Sequence, residues 1–113
     1  ALAQIITNLI MNSLLHAFDK NSEGEISISA EIIDHTIEVI YRDNGHGIKL
    51  QDQGKIFEPF FTTKRGEGGS GLGMHITFNL VTSTLKGQIE CISAPEQGAQ
   101  FNIRFPTEIT PLA

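Results

Sequence analysis

The stretch YRDNGHGI, Tyr41 to Ile48, carries an apolar-alternating segment into an acidic residue and then two glycines set one residue apart. Just upstream, Ile37, Val39 and Tyr41 fall at every second position, the period of a strand with one face on a core. Asp43 then stands at a strand end. Gly45 and Gly47, lacking Cβ atoms, can take positive φ and leave open space over the backbone. Taken alone, the stretch is a turn. Its functional reading is a recognition corner: the Asp43 carboxylate accepts a hydrogen bond from a flat amine-bearing ring, and the glycines let that ring approach. An adenine amine suits this arrangement.

Working outward, EISISAEI alternates Ile26, Ile28, Ala30 and Ile32, as a half-buried strand would, and DHT turns the chain round. Residues 25 to 43 thus read as an antiparallel hairpin. After Ile48 comes a segment, residues 49 to 70, without sustained period and rich in Gly, Lys and Thr, which reads as a long functional loop, a lid. Eight of the eleven glycines fall between Gly45 and Gly73, so the lid and the corner share most of the backbone freedom in the chain. Gly68-Gly69-Ser70-Gly71-Leu72-Gly73 leads into a helix expected from Leu72 to Leu85 and capped by Gly87, a geometry that offers backbone N–H groups to an anion. No Gly-Lys-Ser/Thr follows and no strand precedes, which excludes a P-loop and a dinucleotide fingerprint. QIECIS and AQFNIRF then alternate around APEQG, with Phe101, Ile103 and Phe105 on one face and Pro106 as the stop.

At the other end, Leu2 to Phe18 has helical spacing, with Leu2, Ile6, Leu9, Ile10, Ser13 and Ala17 on the face expected to meet the core. Asn8, Asn12 and His16, four residues apart, form a polar ladder along its edge. The paired amides fit carbonyl oxygens supplied to Mg²⁺, a cation that prefers oxygen and keeps several waters. FEPFFTTK sets Phe57, Phe60 and Phe61 close together; ordinary core is the plain reading, but within a lid they are expected to form a hinge or docking surface instead. The order helix, two strands, lid, helix, two strands places helices on one face of a largely antiparallel sheet, an α/β two-layer sandwich.

At 113 residues the chain is one domain. It has no apolar run near bilayer length, and its net charge of −5 argues against a nucleic-acid surface. Five of its eight cations, Arg42, Lys49, Lys55, Lys64 and Arg65, nevertheless cluster against three acids, Asp43, Asp52 and Glu58, so an anionic ligand can be met locally. The single cysteine excludes a disulfide framework and fits a reducing, cytoplasmic setting. The opening ALAQIITNLI reads as the inside of a helix already running, hence an excised fragment in which residues 1–106 form an N-terminally incomplete domain and residues 107–113 a tail.

Taken in order, QIITNLIMNSLLHAF, DNGHGI, FEPFFTTK and GGSGLGM resemble the N box, first glycine box, F box and second glycine box of bacterial sensor histidine kinases, in their ATP-binding catalytic domain. The likeness runs from about Gln4 to Phe105 and implies the Bergerat ATP-binding sandwich of the GHKL superfamily. It implies that Asn12 ligates Mg²⁺, with Asn8 in support. It has Asp43 bind the adenine amine, and Gly45 and Gly47 shape the base pocket. Gly71 and Gly73 would hold phosphates, with Lys64 nearby acting alongside Asn8 and Asn12 in catalysis. It also sets His16, Ile48, Phe57, Thr63, Gly69, Ser70 and Leu72 along the nucleotide. Leu15 replaces a basic residue of many members, and Ala99 stands where Thr is common. The implied reaction is γ-phosphoryl transfer to a histidine on a separate dimerisation domain, with a response regulator receiver as the next partner in the two-component system. The implied setting is cytoplasmic, beneath a parent that can be membrane-anchored. None of the four histidines is followed by an acid, so the acceptor is expected elsewhere. The family's strand before the N-box helix is missing from this sequence, which implies a shortened sheet and impaired nucleotide binding. Two alternatives stand beside this reading: an ATP-hydrolysing clamp of the same superfamily, whose N-box Glu is replaced here by Asn8, and a catalytically silent interaction module.

Overall fold

The computed structural model describes residues 2–18, 23–58, 73–93 and 97–107, with residues 16 and 17 described by their backbone. Four strands, β1 (Ile26–Ile33), β2 (Thr36–Asp43), β3 (Gln88–Ser93) and β4 (Ala99–Pro106), form one antiparallel sheet in the order β1-β2-β4-β3. Three helices, α1 (Leu2–Asn12), α2 (Leu50–Gln53) and α3 (Gly73–Asn79), accompany it. Helix α1 continues as a π-helical turn over Ser13–Ala17, and α3 does so over Leu80–Thr84. This is the expected two-layer α/β sandwich. No helix among the described residues is long and apolar enough to cross a membrane.

The hairpin forms as its spacing demands. Asp34 and His35 both adopt positive φ, 50° and 65°, the two-residue turn whose twist matches that of the strands it joins. The resulting register pairs Ile26 with Asp43 and Ile32 with Ile37. Strand β4 is central, and its alternate residues Ala99, Phe101, Ile103 and Phe105 are all buried. Ile5 and Leu9 of α1, Val39 and Tyr41 of β2, Ile56, Met74 and Val81 complete the core above them.

Four expectations change on contact with the fold. The buried stripe of α1 is Ile5, Leu9 and Ser13, while Leu2 is exposed, so the helix is rotated towards Ile5 from the face its apolar count indicates. The reason lies beneath it: the Tyr41 hydroxyl reaches the Leu9 carbonyl and the Ser13 hydroxyl reaches Asp43, and those contacts set the rotation. Strand β1 is not half-buried, for Ile28 and Ile32 lie on the core side yet Ile32 is 71% exposed. It is an edge strand that no described helix covers. The segment read as an aperiodic lid contains the single-turn helix α2, too short to show a period. At the end of the second helix the left-handed residue is Lys86, at φ 59°, rather than Gly87. Gly87 donates its N–H to the Val81 carbonyl at 2.8 Å and is needed for close approach, since a Cβ there would sit 2.1 Å from the Arg104 carbonyl oxygen.

Candidate functional site

The period of β2 puts Asp43 on the same face as Ile37, Val39 and Tyr41, which delivers a carboxylate to the end of the core. Asp43 is 8% exposed. Its Oδ1 accepts the Gly45 N–H at 3.0 Å and the Ala99 N–H at 3.2 Å, and its Oδ2 accepts the Ser13 hydroxyl at 2.8 Å. The Tyr41 hydroxyl lies 2.6 Å from Ser13 Oγ and 3.1 Å from the Leu9 carbonyl. With the Ser13 proton given to Asp43, the single Tyr41 proton is shared between Ser13 Oγ and the Leu9 carbonyl, and the chain runs from Tyr41 through Ser13 to the carboxylate. Burial pushes the Tyr41 phenol above its ordinary value, an effect opposed by the Ser13 hydrogen bond and reinforced by the Asp43 charge. A carboxylate has about four acceptor positions. Among the described residues three are filled, which leaves one for a ligand donor.

The loop after Asp43 is held open by its own clamps. Gly47 sits at φ 78°, while Gly45 keeps ordinary φ, so only one of the two glycines expected at positive φ uses that freedom. Gly45 instead fixes the turn through its N–H on Asp43 and its carbonyl, which accepts the Gly98 N–H at 3.1 Å. The Ile48 N–H donates to Ser93 Oγ at 2.8 Å, and that hydroxyl donates to the Gly98 carbonyl at 2.7 Å. Gln53 Nε2 bridges the carbonyls of Ile48 and Ser93 at 3.0 and 2.8 Å, which gives the short helix α2 its role. The corner is thereby built from α1, β2, α2, β3 and β4 together.

A second cluster joins α1 to α3. Asn8 Nδ2 donates to Thr77 Oγ1 at 3.1 Å and to the Gly73 carbonyl at 3.3 Å, and the Thr77 hydroxyl donates to the same carbonyl at 2.8 Å. Asn12 lies one turn on, half-buried, with no hydrogen-bond partner for its amide among the described residues. Two amide oxygens on one side of a helix fit a hard divalent cation that takes a few protein oxygens and completes its shell with water and a ligand's phosphates. No group of three or more His, Cys, Asp or Glu side chains able to hold a metal occurs among the described residues.

Asp43, Gly45, Gly47 and Ile48 are therefore brought together, and Asn8 and Gly73 meet in the second cluster. Phe57 packs against Phe78 and Phe101, with ring centroids 5.5 and 6.4 Å away, so the ordinary core reading holds for it rather than that of a docking surface. The side chain of His16, and Thr63, Lys64, Gly69, Ser70, Gly71 and Leu72, lie outside the described residues. So do Phe60 and Phe61. Sequence reasoning missed Ser13, Tyr41 and Thr77 as hydrogen-bonding members of the site, and Ser93 and Gln53 as its clamps. A polar side chain inside an apolar stripe is the signal that finds Ser13 and Thr77. Ser93 and Gln53 leave no such mark. Ala99, where the expected hydroxyl is lacking, contributes its backbone N–H.

Residues 1–109 match the family model of histidine kinase-, DNA gyrase B- and HSP90-like ATPases. The chain is 38% identical over 105 residues to sporulation kinase A of Bacillus subtilis (strain 168), covering 93% of this chain and 16% of that protein. It is 35% identical over 103 residues to the alginate biosynthesis sensor protein KinB of Pseudomonas aeruginosa, covering 91% and 17%. Among solved structures, the nucleotide-free catalytic domain of the histidine kinase ThkA superposes with a TM-score of 0.75 at 30% identity, covering 93% of this chain and 66% of that one. Full-length ShkA in complex with AMPPNP gives a TM-score of 0.77 at 28% identity, covering 98% and 23%. The chain thus spans less than a fifth of the length of these two curated relatives.

Proposed function

Because the chain belongs to the histidine kinase-, DNA gyrase B- and HSP90-like ATPase family, we propose that it binds Mg-ATP and donates the γ-phosphoryl to a histidine on a separate dimerisation domain. A response regulator receiver then takes the phosphoryl onward, in a cytoplasmic setting. Residues 1–106 are the catalytic unit and the residues after them a tail. The observation that carries the reading is the Asp43 carboxylate: buried at the end of β2 and supplied with three donors among the described residues, which leaves it one acceptor position. An adenine amine fills that position. Gly47, with no Cβ, leaves the ring room, and Ile48 gives it an apolar neighbour.

On the metal side, Asn12 and Asn8 offer amide oxygens to Mg²⁺. That ion, when bound, neutralises charge on the phosphate oxygens. By the family's boxes Gly71 and Gly73, with Lys64 nearby, belong to the phosphate end, and His16, Phe57, Thr63, Gly69, Ser70 and Leu72 lie along the nucleotide. Transfer of this kind asks the protein for alignment and for charge stabilisation, with little covalent chemistry of its own. The clamp reading is disfavoured at one residue. Asn8 has no basic oxygen to take a proton from water, and its amide nitrogen is committed to Gly73 and Thr77.

The test supplies γ-labelled ATP to this chain alone and then with a histidine-bearing dimerisation domain added in trans. Acid-labile label is expected on the added domain and none on this chain. Self-labelling of the chain, or brisk ATP turnover without an acceptor, would overturn the proposal.

A further inference from the structure

We infer that Thr77 is a positioning residue for the metal end of the site, its hydroxyl deciding which end of the Asn8 carboxamide is presented to the ligand. The inference rests on the assignment of Asn8 to Mg²⁺ made above. Thr77 is fully buried, in the middle of the stripe Met74, Thr77 and Val81. A threonine whose hydroxyl donates to the carbonyl four residues earlier is ordinary helix back-bonding, and the 2.8 Å bond to Gly73 would carry nothing by itself. The second contact changes its meaning.

Asn8, on another helix, places Nδ2 at 3.1 Å from Thr77 Oγ1 and 3.3 Å from the Gly73 carbonyl. A carboxamide has one donating and one accepting end of nearly equal shape, so only its partners distinguish them. The Gly73 carbonyl can only accept. The Thr77 proton is already directed at that carbonyl, so towards Asn8 the hydroxyl oxygen can only accept as well. Both partners call for the nitrogen of Asn8, and its Oδ1 is left facing away from α3. An inverted amide would set an oxygen against two acceptors and turn a donor towards a cation.

Valine at position 77 keeps the shape of threonine and removes the hydroxyl. Asn8 would then be oriented by the longer bond to Gly73 alone. The loss expected is about 5- to 10-fold in the affinity for Mg-ATP, the worth of one neutral hydrogen bond, without effect on metal-free ATP. Calorimetry on the full chain, titrating ATP with Mg²⁺ and again with a chelator, reads the gain in affinity that the metal confers. Thr77→Val should diminish that gain and Thr77→Ser should restore it. Should Thr77→Val not fold, Thr77→Ala reads the same quantity. A gain unchanged in the hydroxyl-free variant, or equal losses with and without metal, would overturn the inference. Asn8→Ala separates the two levels. If it abolishes the metal-dependent gain while Thr77→Val keeps it, the positioning role alone is wrong. If Asn8→Ala also keeps the gain, or the unaltered chain binds no ATP, the metal assignment fails with it.

Discussion

Replacing Asp43 by Asn changes one atom at the point where fold and ligand meet. The amide oxygen can go on accepting the Gly45 and Ala99 N–H groups at 3.0 and 3.2 Å. The new NH₂ faces Ser13, whose proton must turn towards Tyr41, and the Tyr41 proton then goes to the Leu9 carbonyl at 3.1 Å. The hydrogen-bond chain thus reverses without losing a member, and the fold should survive. The cost is the weakening of three bonds from charge-assisted to neutral, about 1–3 kcal/mol in all. The adenine amine fares worse, because its acceptor has become a donor. Losing that bond removes about 2–3 kcal/mol, roughly 30- to 150-fold in ATP affinity. A triphosphate whose base carries a carbonyl in place of the amine, such as ITP, should lose nothing and so gain on ATP. Calorimetric titration of both nucleotides, with a urea melt to confirm folding, supplies the comparison. A folded Asp43→Asn variant that holds ATP within about threefold of the parent would refute the assignment of the base to this carboxylate.

Two further outcomes are expected. In Gly98→Ala the new methyl would lie 2.1 Å from the Asp43 carbonyl oxygen at a φ of 75°, so strain and clash together should lower stability by at least about 2 kcal/mol in urea unfolding; a wild-type midpoint would contradict the geometry. The Cys91 thiol is pushed up from 9.0 to about 12, by burial first and the Asp43 charge second. Its folded value lies above its unfolded one, so its contribution to stability is complete below about pH 9 and is lost as pH rises towards 12. Cys91→Ala should flatten that alkaline limb, and native Cys91 should alkylate far more slowly than the urea-unfolded chain.

Much of the site can be read in the sequence because its signals are local. The alternation of Ile37, Val39 and Tyr41 fixes the side of β2 on which Asp43 must emerge, since the side-chain period of a strand is two. The pairing of Asn8 with Asn12 follows in the same way from helical spacing. Gly87 does close the second helix through its N–H on the Val81 carbonyl, but the left-handed residue is Lys86, and the need for glycine comes from the approach of β4, which no neighbour in sequence reveals.

The sequence by itself determined the four strands and the two longer helices, the turn at Asp34 and His35, and the carboxylate at the end of β2. Tertiary structure alone decided the rotation of α1 towards Ile5, the bareness of β1, the clamps from Ser93 and Gln53, and the meeting of Asn8 with Thr77. The physical reason is that periodicity specifies which side chains share a face, whereas the partner of that face is chosen by packing and hydrogen bonds between segments far apart in sequence, 69 residues in the case of Asn8 and Thr77.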